Sequence, residues 1–90
     1  MTPTQARNLD TLGNKLATAA LTTLIRLCPE IRTASHEQQE AACAAMRAKS
    51  GQVIDELLED GRACPWMAET IFASAVMTLV NAGAKVLRGN

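Results

Sequence analysis

The segment from Pro65 to Leu87 constrains the fold more than any other part of this chain. Read as a helix at 100° per residue, its polar residues recur at steps of three or four and form one narrow stripe. The stripe consists of Thr70, Ser74, Thr78, Asn81 and Lys85, and Arg88 continues it. The other positions are mostly apolar or small, so the apolar surface is much wider than the roughly 100° face of an ordinary surface helix. Such a helix needs apolar partners on two sides.

The rest of the chain has the composition of helices that pack closely. Hydrophobic residues make up 48% of the 90 residues, aromatic residues only 2%, and alanine is abundant. This balance favours helices over sheets. A chain of this length forms one domain with its own core. We therefore predict a single all-α domain over residues 1–90.

The first helix is marked at both ends. Thr2, Pro3 and Gln5 are typical of an N-cap, an N1 proline and a capping box. The helix is expected to end near Leu27, because the residue that follows it precedes Pro29 and is therefore disfavoured in the α region.

The second helix begins with another capping box, formed by Ser35 and Gln38. We expect it to continue to about Asp60, with Gly61 as its C′ residue. Ser50-Gly51 is the weak point, where the helix could bend or split in two and give a fourth helix.

The third helix has Pro65 at N1 and Gly89 after its end. Short connections make neighbouring helices antiparallel, so we predict an up-down-up three-helix bundle.

An acidic cluster crowds the end of the second helix. Its four members are Asp55, Glu56, Glu59 and Asp60. The helix dipole opposes negative charge at this end, so compensation is expected from the N-termini of the other two helices and from Arg7 and Arg62. The favoured interpretation is a solvated helix end; a partner-binding patch, a divalent-metal site and a mimic of nucleic-acid phosphates are the alternatives.

The opposite end of the bundle should bring unlike charges together. There, Lys85 and Arg88 are expected to approach Glu30, Glu37 and Glu40.

The three cysteines argue against both a disulfide framework and a zinc site. Cys28, Cys43 and Cys64 are odd in number and have no C-x-x-C spacing. They fit a protein of the reducing cytoplasm, as does the lack of a signal-peptide pattern. Cys64 stands at a helix N-cap, where a thiol can become reactive, but no histidine lies nearby in sequence to act as a base. We expect no metal and no cofactor.

Charge and polarity disfavour two further classes of protein, nucleic-acid-binding proteins and membrane-spanning proteins. Nine basic and nine acidic residues give no net charge, and the basic residues are dispersed, so nucleic-acid binding is not favoured. Residues 66–84 are long enough to span a membrane, but polar residues dilute them and no basic cluster flanks them.

One enzymatic alternative comes from two pairs of carboxylates. Glu37-x-x-Glu40 and Glu56-x-x-Glu59 loosely resemble the paired acidic residues of the all-α nucleoside triphosphate pyrophosphohydrolases of the MazG type, although Glu59 stands where that family has an aspartate. The resemblance implies Mg²⁺-dependent release of pyrophosphate. On one continuous helix the pairs lie about 28 Å apart, so the site needs a break at Ser50-Gly51 or a second subunit.

The third helix carries more apolar surface than two amphipathic helices can cover. We therefore expect a surface that forms a homodimer or accepts a partner helix. The candidate residues are Trp66, Met67, Val76, Met77 and Val80; the alternative is that they complete a monomeric core.

The predicted function is a small cytoplasmic helical interaction module that acts as an adaptor, regulator or inhibitor and is not an enzyme. Compact helical proteins of this kind, without motifs, are frequent among accessory genes of phages and plasmids. The alternatives are the nucleotide pyrophosphohydrolase and a small dimeric nucleic-acid-binding regulator.

Overall fold

Three long helices form the molecule. A computed structural model describes residues 3–89, with side chains from residue 11 onward. The helices are α1 (Pro3–Leu27), α2 (His36–Ala63) and α3 (Ala68–Arg88), and short 3₁₀ helices occupy the two connections at Pro29–Arg32 and Pro65–Met67. Residues 3–89 contain no strand. The predicted all-α three-helix bundle is confirmed.

The helix ends depend on residues that the sequence singles out. α1 runs from Pro3 to Leu27 as expected, whereas Thr2 and the Gln5 side chain of the first capping box lie outside the described residues. At the start of α2 the hydroxyl of Ser35 accepts a hydrogen bond from the Gln38 N–H at 3.1 Å. The Ser35 N–H in turn donates to Gln38 Oε1 at 3.2 Å, which completes the second capping box.

α2 is one continuous helix through Ser50-Gly51. The hydroxyl of Ser50 donates to the carbonyl of Arg47 at 3.1 Å. The Ser50 side chain therefore bonds to the backbone one turn earlier in the same helix and does not interrupt it. The four-helix alternative is not realised.

The expected junction between α2 and α3 was wrong by about three residues on each side. Gly61 lies inside α2, and Cys64 ends the helix with φ −134° while its N–H donates to the Asp60 carbonyl at 2.8 Å. Cys64 cannot continue the helix because it precedes Pro65. Pro65 then opens a 3₁₀ turn, and α3 begins at Ala68. Gly89 caps α3 in the left-handed region at φ 70°, as predicted.

α3 is the centre of the bundle. It packs along α2 and also against α1, whereas the described parts of α1 and α2 have few contacts with each other. The largest fully buried side chains come from α1 and α3 and from the turn after α1: Leu16, Leu24, Cys28, Leu79 and Val80. The hydrophobic core is therefore built on α3, as the wide apolar surface of this helix requires.

Polar contacts close the end of the bundle where the chain turns from α1 to α2. Arg88 Nε donates to Glu30 Oε1 at 3.3 Å, which joins the last turn of α3 to the first connection. The expected approach of Arg88 to Glu30 is confirmed, while Glu40 pairs instead with His36 at 3.1 Å. The amide of Gln39 donates to the Ile31 carbonyl at 2.7 Å and anchors the same connection.

Candidate interaction surfaces

The five residues predicted to bind a partner divide into two groups. Trp66, Met67 and Met77 are exposed, and Trp66 keeps 78% of its surface in contact with solvent. Val76 and Val80 are only 7% and 2% exposed, because they face inward from α3 between the two flanking helices. Their assignment to an exposed surface was wrong, and for these two residues the alternative of a monomeric core is correct.

The three exposed residues do not form one continuous patch on α3. Trp66 and Met67 lie in the 3₁₀ turn before the helix, while Met77 lies ten residues further on, about 15 Å along the axis. The exposed positions between them are polar or alanine: Ala68, Glu69, Thr70, Ala73 and Ser74. α3 therefore leaves less apolar surface uncovered than its sequence suggested.

A mainly apolar groove between α1 and α2 opens onto the core. Its volume is about 400 Å³. The walls come from α1 and α2 and the floor includes a core residue of α3; the lining residues are Gly13, Ala17, Leu21, Cys43, Met46, Arg47, Ser50, Ile54 and Leu79. It exists because α1 and α2 each pack on α3 without closing on one another.

Three residues on one side of α1 line this groove. Gly13, Ala17 and Leu21 follow at steps of four and lie on one side of the helix. At Gly13 an added Cβ would stand 3.7 Å from Cδ1 of Ile54 in α2, an ordinary van der Waals distance. Further along α1, Leu21 keeps 40% of its surface exposed. Their spacing of four is the sequence signal for a shared face of α1.

The acidic cluster is spread around α2 and does not converge. All four carboxylates are exposed. Glu56 and Asp60 border the cleft between α2 and α3, whereas Asp55 and Glu59 lie outside it. Gln52 donates to Glu56 Oε1 at 3.2 Å, and no group of three or more potential metal ligands occurs among the described residues. Arg7, expected to compensate these charges, has its side chain outside the described range.

The paired carboxylates of the enzymatic alternative are held far apart. Because α2 is unbroken, Glu37 and Glu40 remain about 28 Å along the axis from Glu56 and Glu59. One chain therefore does not bring the four residues of the MazG-type resemblance together.

The three cysteines are all free, with Cys28 buried and the other two partly buried. Cys64 makes no side-chain hydrogen bond to the turn that it precedes.

Within the described chain, one segment has the length and hydropathy of a membrane span. It is Pro65–Arg88, with a mean hydropathy of 1.5, and 33% of its most apolar window is buried inside the bundle. The core helix of a soluble protein passes the same test of length and hydropathy, and α3 packs against both other helices.

Comparisons with protein-family models, with curated proteins and with solved structures found no match for this chain. The surface of the bundle is therefore the basis for its proposed function.

Proposed function

We propose that this protein is a small helical interaction module that binds an amphipathic helix of a partner protein in the groove between α1 and α2. The observation that carries the proposal is the open, apolar groove over Leu79. A helix laid along such a groove completes a four-helix arrangement, the usual way for helices to cover an apolar seam.

The dimensions of the groove suit one side of a helix. Gly13 and Leu21 are eight residues apart on α1, which is about 12 Å or two helical turns. Two turns present apolar anchors at i, i+3 or i+4, and i+7, the spacing used in helix-in-groove recognition. Each square ångström of apolar surface covered contributes roughly 25 cal/mol, so even a short helix gains from covering Leu21 and Ile54.

As such a module the protein acts by occupying a partner's surface, as an adaptor, regulator or inhibitor. Its three free cysteines suit the reducing cytoplasm. Exposed Trp66 and Met67 add a second apolar contact at the α2–α3 turn.

The test is a selection of helical peptides from a displayed library against the full-length chain. We expect enriched peptides to carry apolar residues at helical spacing. Leu21→Glu should weaken their binding by about tenfold or more, because a charge enters the apolar groove.

Thr22→Glu is the matched control, since it adds the same charge at the next residue, exposed on a different side of α1. This variant should bind the peptides as the wild type does. No enrichment of helical peptides, or equal binding by Leu21→Glu, would overturn the proposed function.

A further inference from the structure

The outward face of α2 carries a stripe of exposed residues whose spacing is the same when counted from either end. Seven exposed positions from Glu40 to Arg62 lie within a stripe of about 80° that points away from the core. Gly51 is the middle position. The steps from one position to the next are four, three and four residues on each side of it.

The residues at matching positions are complementary. Arg47 and Asp55 lie four residues before and after Gly51 and carry opposite charges. Glu40 and Arg62 lie eleven residues before and after it, again with opposite charges. In an antiparallel pair of α2 helices that cross at Gly51, each of these residues faces its opposite on the other copy.

The central charges have no partner on their own helix. Neither Arg47 nor Asp55 has an opposite charge three or four residues away, and neither forms an ion pair within the described part of the chain. Glu40 contacts His36 through Oε1, which leaves Oε2 out of that contact. Pairing with a second copy would use charges that one chain leaves in solvent.

The shape of the stripe also allows close approach. Ala44 and Leu58 lie seven residues before and after Gly51, so the 39%-exposed Leu58 side chain of each copy would lie over the small Ala44 of the other. A Cβ added at Gly51 would meet nothing within 4 Å, so the backbone is open at the centre. Small residues at a crossing point let helix axes approach closely.

We propose that this face of α2 is the interface of a symmetric antiparallel homodimer, with the twofold axis at Gly51. The interface is distinct from the groove that carries the proposed function, and Arg47 is the one residue that both surfaces share. Asp55→Arg, which lies only in the interface, and Leu21→Glu, which lies only in the groove, separate the two proposals.

Sedimentation of the full-length chain over a range of concentrations tests the dimer by charge reversal. Arg47→Asp and Asp55→Arg each replace two attractive contacts by two repulsive ones, so each should raise the dimer Kd by about tenfold or more. The double variant restores both attractive pairs with the two charges exchanged, and it should return the Kd to within about threefold of the wild type. The exposed Lys49, which lies outside the stripe, supplies the control Lys49→Asp, which should leave the Kd unchanged.

Disulfide trapping locates the axis directly. In a Cys43→Ser, Cys64→Ser background, Gly51→Cys should form a covalent dimer on oxidation, because facing Cα atoms of close-packed helices fall within disulfide range. Gln52→Cys, one residue away, should form much less.

A wild-type chain that stays monomeric at its highest soluble concentration would overturn the proposal. So would a dimer whose Kd does not respond to Arg47→Asp and Asp55→Arg. Circular dichroism of each variant separates loss of the dimer from loss of the fold. Leu21→Glu, which is expected to weaken groove binding, should leave the dimer intact.

Discussion

Gly83 of α3 lies against the side chain of Met46 of α2, so closely that a Cβ on the glycine would stand 3.0 Å from Met46 Sδ. The same Cβ would be 3.1 Å from Cδ2 of Leu24 in α1. The missing side chain thus lets all three helices meet at one level of the core. Leu24 has no exposed surface and Met46 keeps only 7%, so a larger side chain at Gly83 must displace core side chains.

Gly83→Val should therefore lower the free energy of unfolding by about 2 kcal/mol, as overpacked cores usually do. Urea unfolding followed by circular dichroism measures the change. Ala82→Val, at the neighbouring partly buried position, is the control and should cost roughly 0.5 kcal/mol from helix propensity alone. Equal losses in the two variants would argue against the tight contact at Gly83.

Gly61→Ala should stabilise the protein by about 0.5 to 1 kcal/mol. Gly61 lies inside α2 and a Cβ there meets nothing within 4 Å, so alanine gains helix propensity without a clash. Thermal unfolding provides the measurement. A loss of stability would instead indicate that Gly61 ends the helix in the left-handed region, as the sequence had suggested; Gly89→Ala, at φ 70°, should show such a loss.

Ser35→Ala should cost about 1 kcal/mol, because it removes the hydroxyl that accepts from the Gln38 N–H at the start of α2. Ser35→Thr keeps an acceptor at the same position and should restore most of the loss. Chemical denaturation of the two variants beside the wild type gives the comparison. If both variants lost the same stability, the hydroxyl would not be the cause.

Stability should depend on the ionisation of Glu30. The pKa of this carboxyl group lies below its ordinary value of 4.5, chiefly because its own backbone N–H donates to it and also because Arg88 pairs with it, while partial desolvation acts in the opposite direction. A carboxyl whose pKa is lower in the folded state stabilises the fold above the unfolded pKa. That contribution is lost as the pH falls through the lowered pKa.

Glu30→Gln should therefore flatten the fall in stability below about pH 4.5 that the wild type shows. Arg88→Gln should flatten it less, because the backbone donor remains. Unfolding by urea across a pH series tests both variants. A pH dependence in Glu30→Gln equal to that of the wild type would contradict the assignment.

The sequence predicted the features that depend on neighbouring residues, such as the helix caps. It did not predict the features that depend on how the helices pack. The capping box at Ser35 and the cap at Gly89 depend on neighbouring residues, which is why the sequence located them. Val76 and Val80 were misplaced because periodicity measures how wide an apolar face is, not how much of it two neighbours cover. The groove beside Leu21 depends on how far α1 and α2 diverge, and no periodicity encodes that distance.

The uneven packing of the three helices also bears on the order in which the molecule comes apart. α2 and α3 are consecutive in the chain and share most of the helix contacts among the described residues, whereas α1 is held mainly by α3. Elements with fewer tertiary contacts open at lower free energy, so amide hydrogens of α1 should exchange with solvent before those of the other two helices. A bound helix that bridges α1 and α2 would fasten the looser helix to the hairpin and slow that exchange.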